Sequence, residues 1–207
     1  MKVIAVIGQK GGSGKTTLTE NLAVEASAKR KTVAIIDLDS QPSAAGWSDR
    51  RQNDSPVVVS AQVARLGKVL SAARDQGTDL AIIDTPPRMA EATIEAARAA
   101  NLILIPLRPL INDVETLPAL AKILQVASSP KAFVVLNAAP VQGQRDSEAR
   151  QVAEGYGFSV CPVVLHQRSA YGDAPLTGLA VREFEPDGKA ADEIAHLYDF
   201  IKKQIHM

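Results

Sequence analysis

The sequence predicts a three-layer α/β/α fold around a mostly parallel central sheet. Short apolar runs alternate with segments of helical period, the pattern of a βαβ chain. Most of these runs are continuously apolar, as strands covered on both faces are. A glycine-rich turn joins the first run to the first helical segment.

Strands are expected at 2–7, 32–38, 57–60, 80–84, 102–107, 132–138 and 160–165. Helices are expected near 15–29, 62–75, 90–99, 112–127, 145–155 and 188–205. Breakers fall between them: Gly77, Pro86-Pro87, Ser128-Ser129-Pro130, Gly155 and Gly157. No linker, low-complexity tract or internal repeat divides the chain, so residues 1–207 are expected to form one domain.

In an open parallel sheet, ligands sit beyond the C-terminal strand ends. The first such end carries Gly11-Gly12-Ser13-Gly14-Lys15-Thr16-Thr17. Glycines let backbone N–H groups wrap phosphate oxygens, and the helix N-terminus adds partial positive charge. Lys15 can reach the β- and γ-phosphates, and the Thr16 hydroxyl can ligate Mg²⁺. This is the phosphate-binding loop of a P-loop NTPase.

Later strand ends supply carboxylates. Asp37 and Asp39 lie two residues apart, on one side of a strand as it gives way to loop. Phosphoryl transfer to water needs a group that orients the water and carboxylates near the metal. Leu80-Ala81-Ile82-Ile83-Asp84 is an apolar run ending in an acid, the Walker B pattern, and Pro86-Pro87 stiffens the loop after it. Asn137 places an amide at the rim, suited to a base edge, although a turn-forming asparagine would look the same.

Composition narrows the classes. The net charge is +0, so any pull on nucleic acid or lipid must come from a local patch. Cys161 is the sole cysteine, which removes an internal disulfide and any cysteine-pair metal site within one chain. The apolar setting of Cys161 reads as a buried thiol, and His166, His196 and His206 lack metal-ligand spacing. No apolar run approaches the roughly 18 residues of a membrane span, and the chain is expected in the cytoplasm.

The loop departs from the general P-loop pattern. Gln9 stands at its first glycine position and a second lysine, Lys10, follows. The run K-G-G-S-G-K-T-T resembles the deviant Walker A loop of the ParA/MinD family of ATPases. Asp37-Leu38-Asp39-Ser40-Gln41 resembles that family's switch I, with Ser40 at the usual proline, and Ile82-Ile83-Asp84-Thr85-Pro86-Pro87 resembles its switch II. The resemblance implies ATP and Mg²⁺ as cofactors and a homodimer on ATP. It implies that Lys10 reaches the partner's nucleotide and that Asp39 positions the lytic water. Asp37 and Asp84 would serve the metal's outer shell, with Thr16 as a ligand, and Asn137 would contact adenine. Ile105-Pro106-Leu107-Arg108-Pro109 with Asp113 resembles a family segment whose usual role is in the dimer face or in packing, and neither Arg108 nor Asp113 is expected to be catalytic. The closest likeness is to the small partition and positioning members that lack an N-terminal DNA-binding domain.

The branches of that family differ in the surface the dimer binds. One holds DNA non-specifically on the nucleoid and answers to a ParB-like or cargo-adaptor protein. Candidate DNA contacts are Arg168, Lys202 and Lys203, with Arg145, Arg150 and Arg182 weaker. The MinD-like branch lies on membranes through a C-terminal amphipathic helix. Leu197, Phe200, Ile201 and Ile205 give this tail one apolar face, which reads first as core packing and second as a lipid face. Trp47 is expected under the switch I helix or at a partner face.

Overall fold

Parallel strands must all end at one edge of the sheet, and here that edge gathers the polar residues. The computed structural model describes residues 1–39, 43–127 and 130–207, so Ser40, Gln41 and the expected 128–130 turn lie wholly or partly outside the described residues. Seven described strands form one all-parallel sheet: β1 (Lys2–Val6), β2 (Val33–Asp37), β3 (Val57–Ser60), β4 (Leu80–Asp84), β5 (Leu102–Leu107), β6 (Ala132–Leu136) and β7 (Ser159–Val160). Their order is β3-β2-β4-β1-β5-β6-β7, so β1 is central, between β4 and β5.

Alternation along each strand divides the core into two layers. Ile4, Val6, Ile35, Ile82, Leu104 and Val135 face one side. They pack there against α1 (Lys15–Ala28), α2 (Ser43–Asp49) and α10 (Lys189–Ile205). The short helices α8 (Ala170–Asp173) and α9 (Val181–Phe184) complete this layer. Val3, Ala5, Ile7, Ile36, Ile83 and Val134 face the other side. That layer holds α3 (Leu66–Asp75), α4 (Ala90–Ala99), α5 (Ile111–Val114), α6 (Leu117–Val126) and α7 (Arg145–Gly155).

Two expected elements change shape. The 112–127 helix is broken into α5 and α6, with Pro118 in the first turn of α6, where its missing N–H is harmless. The 160–165 strand shrinks to β7, because Pro162 has no N–H to continue the ladder. The tail matches its first reading. Leu197, Ile201 and Ile205 of α10 are buried, and the Phe200 ring meets Phe133 edge-on at 5.0 Å. This apolar face is spent on the core. No described helix is long and apolar enough to cross a membrane.

Helix α1 is enclosed between the sheet and the surface helices, so even Glu20, Asn21 and Glu25 are buried. Asn21 Oδ1 accepts the Val181 N–H at 2.9 Å, and Glu25 takes Arg182 at 2.8 Å. The strap from Ala174 to Phe184 is thereby tied to α1. It is also tied to α2 and the loop after it. Trp47 Nε1 donates to the Leu179 carbonyl at 3.2 Å, and Arg51 forks onto Glu183 at 2.8 and 2.9 Å while lying 4.5 Å above the Trp47 ring. Gly178 sits where this strap crosses Arg50 and Arg51. Its φ is +72°, and a Cβ there would lie 2.6–2.7 Å from the Arg50 and Arg51 backbone. Gly178→Ala is expected to cost about 2–4 kcal/mol, from left-handed strain plus overpacking, read as a lower urea midpoint at unchanged m-value. An unchanged midpoint would show that the crossing is loose.

Candidate active site

The phosphate loop leaves the C-terminal end of β1 and runs into α1. Side chains hold its carbonyls from two directions. Lys15 is buried, and its Nζ donates to the Lys10 carbonyl at 3.1 Å. Asn137, just past β6, donates from Nδ2 to the Ser13 carbonyl at 2.8 Å. Gly14 has φ +94°, and a Cβ there would collide with the Asn137 amide, so the loop closes only around glycine. The Ser13 hydroxyl is buried and finds no partner among the described residues.

Sheet register sets the carboxylates side by side. Asp37 and Asp84 are direct partners across β2 and β4, and Val6 is the partner of Asp84 on β1. Parity turns Asp37 and Asp84 toward the α1 layer, with Ile35 and Ile82. There the Thr16 hydroxyl donates to Asp84 Oδ2 at 2.6 Å. Asp37 Oδ1 accepts the Asp39 N–H at 2.9 Å. The second oxygens, Asp84 Oδ1 and Asp37 Oδ2, are buried without a partner among the described residues. The orphaned Asp84 oxygen beside a hydroxyl, with the Asp37 carboxylate next to it and drawing backbone N–H groups of Asp39, Ala44 and Ala45, fits a hard cation that keeps most of its waters. Thr85 anchors the loop after β4, its hydroxyl donating to the Val6 carbonyl at 2.9 Å.

The charges are held under strain. Burial pushes the Asp84 carboxyl up to about 7, and Asp37 and Asp39 push the same way against the Thr16 hydrogen bond and Lys15. Burial likewise raises Asp37, against the backbone hydrogen bonds it accepts. Burial lowers Lys15 below its ordinary value, opposed by Asp84 and Asp39. One participant had no sequence signal beyond its charge. Glu20 lies one turn after Thr16 on the buried face of α1, and burial with the nearby Asp84 lifts its carboxyl to about 8. Its trace in the sequence is an acid on a helix whose neighbouring positions all turn inward.

Residues 4–181 match the CobQ/CobB/MinD/ParA nucleotide binding domain. The chain belongs to this family. Within it, the chain is 27% identical over 207 residues to maintenance of carboxysome distribution protein A of Gloeobacter kilaueensis, covering 99% of this chain and 94% of the relative. It is 24% identical to the chromosome-partitioning ATPase Soj of Thermus thermophilus, covering 98% and 96%. Among solved structures, the MinD cell division protein of Aquifex aeolicus superposes with a TM-score of 0.80 at 16% identity, covering 98% of both chains. McdA of Cyanothece in complex with ATP gives 0.73 at 18%, covering 100% and 97%. These superpositions establish the family's fold for the whole chain.

The fold gathers Lys10, Gly11, Gly12, Ser13, Gly14, Lys15, Thr16, Thr17, Asp37, Asp39, Asp84 and Asn137 around one loop. It does not gather the expected DNA contacts. Arg168 is bound to Glu193 through Nη2 at 2.6 Å and Nε at 3.1 Å, and His166 Nδ1 shares that carboxylate at 2.8 Å. Lys203 is ten residues beyond Glu193 on α10, about 15 Å along the axis. Lys131, which precedes β6, reaches Gln204 at 3.0 Å, so this end of α10 lies at the sheet edge opposite the phosphate loop. Lys203 is exposed, and Lys202 is half-buried with Asp199 at 3.8 Å. Cys161 is buried, its thiol raised to about 11 by burial, as a structural thiol.

Because Asp84 and Glu20 hold protons more tightly when folded, their contribution is present at low pH and is lost as pH rises through about 7 and 8. The metal-free, nucleotide-free protein should melt at least about 4 °C lower at pH 8.5 than at pH 6. Glu20→Gln should reduce that difference in a thermal scan. A difference unchanged by Glu20→Gln would remove Glu20 from this account.

Proposed function

We propose that the chain is a Mg²⁺-dependent ATPase that closes into a homodimer on ATP, holds DNA by its backbone while closed, and lets go on hydrolysis. In this reading a ParB-like or cargo-adaptor protein stimulates hydrolysis, the enzyme works in the cytoplasm on the nucleoid, and the cargo is a plasmid, a chromosome region or a protein organelle. The observation that carries it is the position of Lys10. Lys15 fills the phosphate loop from within, while the Lys10 side chain turns outward to Asp113, where it remains 30% exposed. A cation at the mouth, bound to a helix whose start exposes the apolar side chains of Leu110 and Ile111, suits a face that a second copy covers.

Each residue has a physical task here. Lys15 exchanges the Lys10 carbonyl for phosphate oxygens, and the Ser13 hydroxyl gains an acceptor. Thr16 and Asp84, with Asp37 behind them, would hold Mg²⁺, which neutralises charge on the β- and γ-phosphates. Asn137 keeps its Oδ1 for an adenine amino group while its Nδ2 braces the loop. Asp39 orients the water that attacks the γ-phosphorus as the bond to the β-phosphate oxygen breaks. Its carboxylate acts electrostatically on Lys15, Asp37 and Asp84, so it stands within their reach.

For DNA, Lys202 and Lys203 offer the accessible charge, and Arg168 contributes only by exchanging Glu193 for phosphate. The partition and carboxysome-distribution relatives support a positioning role. The inward packing of the apolar face of α10 supports the DNA reading over a MinD-like membrane alternative built on that helix.

Retardation of random-sequence DNA is expected with ATP and not with ADP. Lys202→Ala with Lys203→Ala should lower the log–log salt slope by about 2 per protomer if both touch phosphate. Lys15→Ala should abolish nucleotide binding, and Asp39→Ala should trap the ATP dimer with turnover reduced at least about 100-fold. No ATP-dependent shift at low salt, with the dimer formed, would overturn the DNA reading.

A further inference from the structure

One carboxylate at the mouth of the phosphate loop serves two cations. Asp113 is 2% exposed in its side chain and sits on α5, just after β5. Its Oδ1 accepts Lys10 Nζ at 2.7 Å and Arg108 Nη2 at 3.1 Å, and its Oδ2 accepts Arg108 Nε at 2.8 Å. Arg108 therefore holds both oxygens of the fork, while Lys10 shares only one. The Arg108 guanidinium also stands over the loop, with Nη1 4.0 Å from where a Gly12 Cβ would be.

This arrangement bears on how Lys10 could move. A buried carboxylate left without a cation is strongly disfavoured, so a simple Lys10–Asp113 pair would lock the lysine at home. A planar bidentate guanidinium already in place removes that obstacle. When Lys10 departs, Oδ1 passes wholly to Arg108 Nη2 and no buried charge is stranded. Burial alone would raise the Asp113 carboxyl, but the hydrogen bonds from Arg108 and then Lys10 hold it below its ordinary value, so it stays ionised at neutral pH.

We propose that Arg108 is a positioning residue, a standing counter-ion that lets Lys10 leave Asp113 for a partner's nucleotide and return when the dimer opens. The proposal rests on the trans-acting Lys10 of the preceding reading. It makes the Lys10–Asp113 pair a resting latch and Arg108 the part that keeps the latch easy to open.

The test is a double-substitution cycle on dimerisation, measured by sedimentation with a non-hydrolysable ATP analogue. Arg108→Gln should weaken dimerisation at least about tenfold, a typical coupling between sites, with analogue binding by the monomer retained. Asp113→Asn should strengthen dimerisation, and Arg108→Gln added to it should have little further effect. Arg108→Lys, which keeps the charge and loses the fork, should fall between and carries the test if Arg108→Gln does not fold. Equal damage from Arg108→Gln with and without Asp113→Asn would overturn the proposal, since it would mean that Arg108 acts on nucleotide or interface directly. Lys10→Ala separates the two levels. Normal dimers in that variant would refute the trans-acting lysine itself, whereas their loss together with an inert Arg108→Gln would refute only the counter-ion role.

Discussion

A buried ammonium cannot stand without an anion or a dipole, and the site is arranged around that constraint. Lys15 meets it with the Lys10 carbonyl and with carboxylates at two neighbouring strand ends. The acids in turn crowd one another. Asp84, Asp37 and Glu20 share a small space beneath the loop, and burial makes each of them hold its proton more tightly than an ordinary carboxyl does. A divalent cation and a polyanion together would satisfy both sets at once. The all-parallel sheet makes this possible, since it brings β1, β2 and β4 to one edge in register.

What could be read from the sequence follows the range of each interaction. The strands were legible because burial on two faces leaves continuous apolar runs, as in Ile82-Ile83 before Asp84. The loop was legible because Gly14, Lys15 and Thr16 are consecutive. The tail's apolar face was legible as a face, and its partner α1 settled what it covers. The remainder depends on pairs distant in the chain. Lys10 and Asp113 are 103 residues apart, and Arg51 and Glu183 are 132 apart, so no local pattern announces them. The same holds for Arg168, whose partner Glu193 lies 25 residues further along the chain. The break between α5 and α6 and the short β7 follow from Pro118 and Pro162, whose effects depend on where the helix and ladder would otherwise continue.

The strap at 174–184 links the two ends of the molecule's chemistry. It fastens to α1 through Asn21 and Glu25 and to the loop after α2 through Arg50 and Arg51. Helix α2 is the next element after β2, and it is held by the strap as well as by the sheet. The short α8 that precedes the strap begins two residues after Arg168.

Trp47 gives this coupling an optical consequence. It is the sole tryptophan in the chain, fully buried on α2, with its indole N–H on the strap and a guanidinium over its ring. Its tryptophan emission therefore comes from one place, beside a guanidinium and a single carbonyl. The molecule carries an unlabelled spectroscopic reporter where α2 meets the strap, and fluorescence can follow that joint in real time.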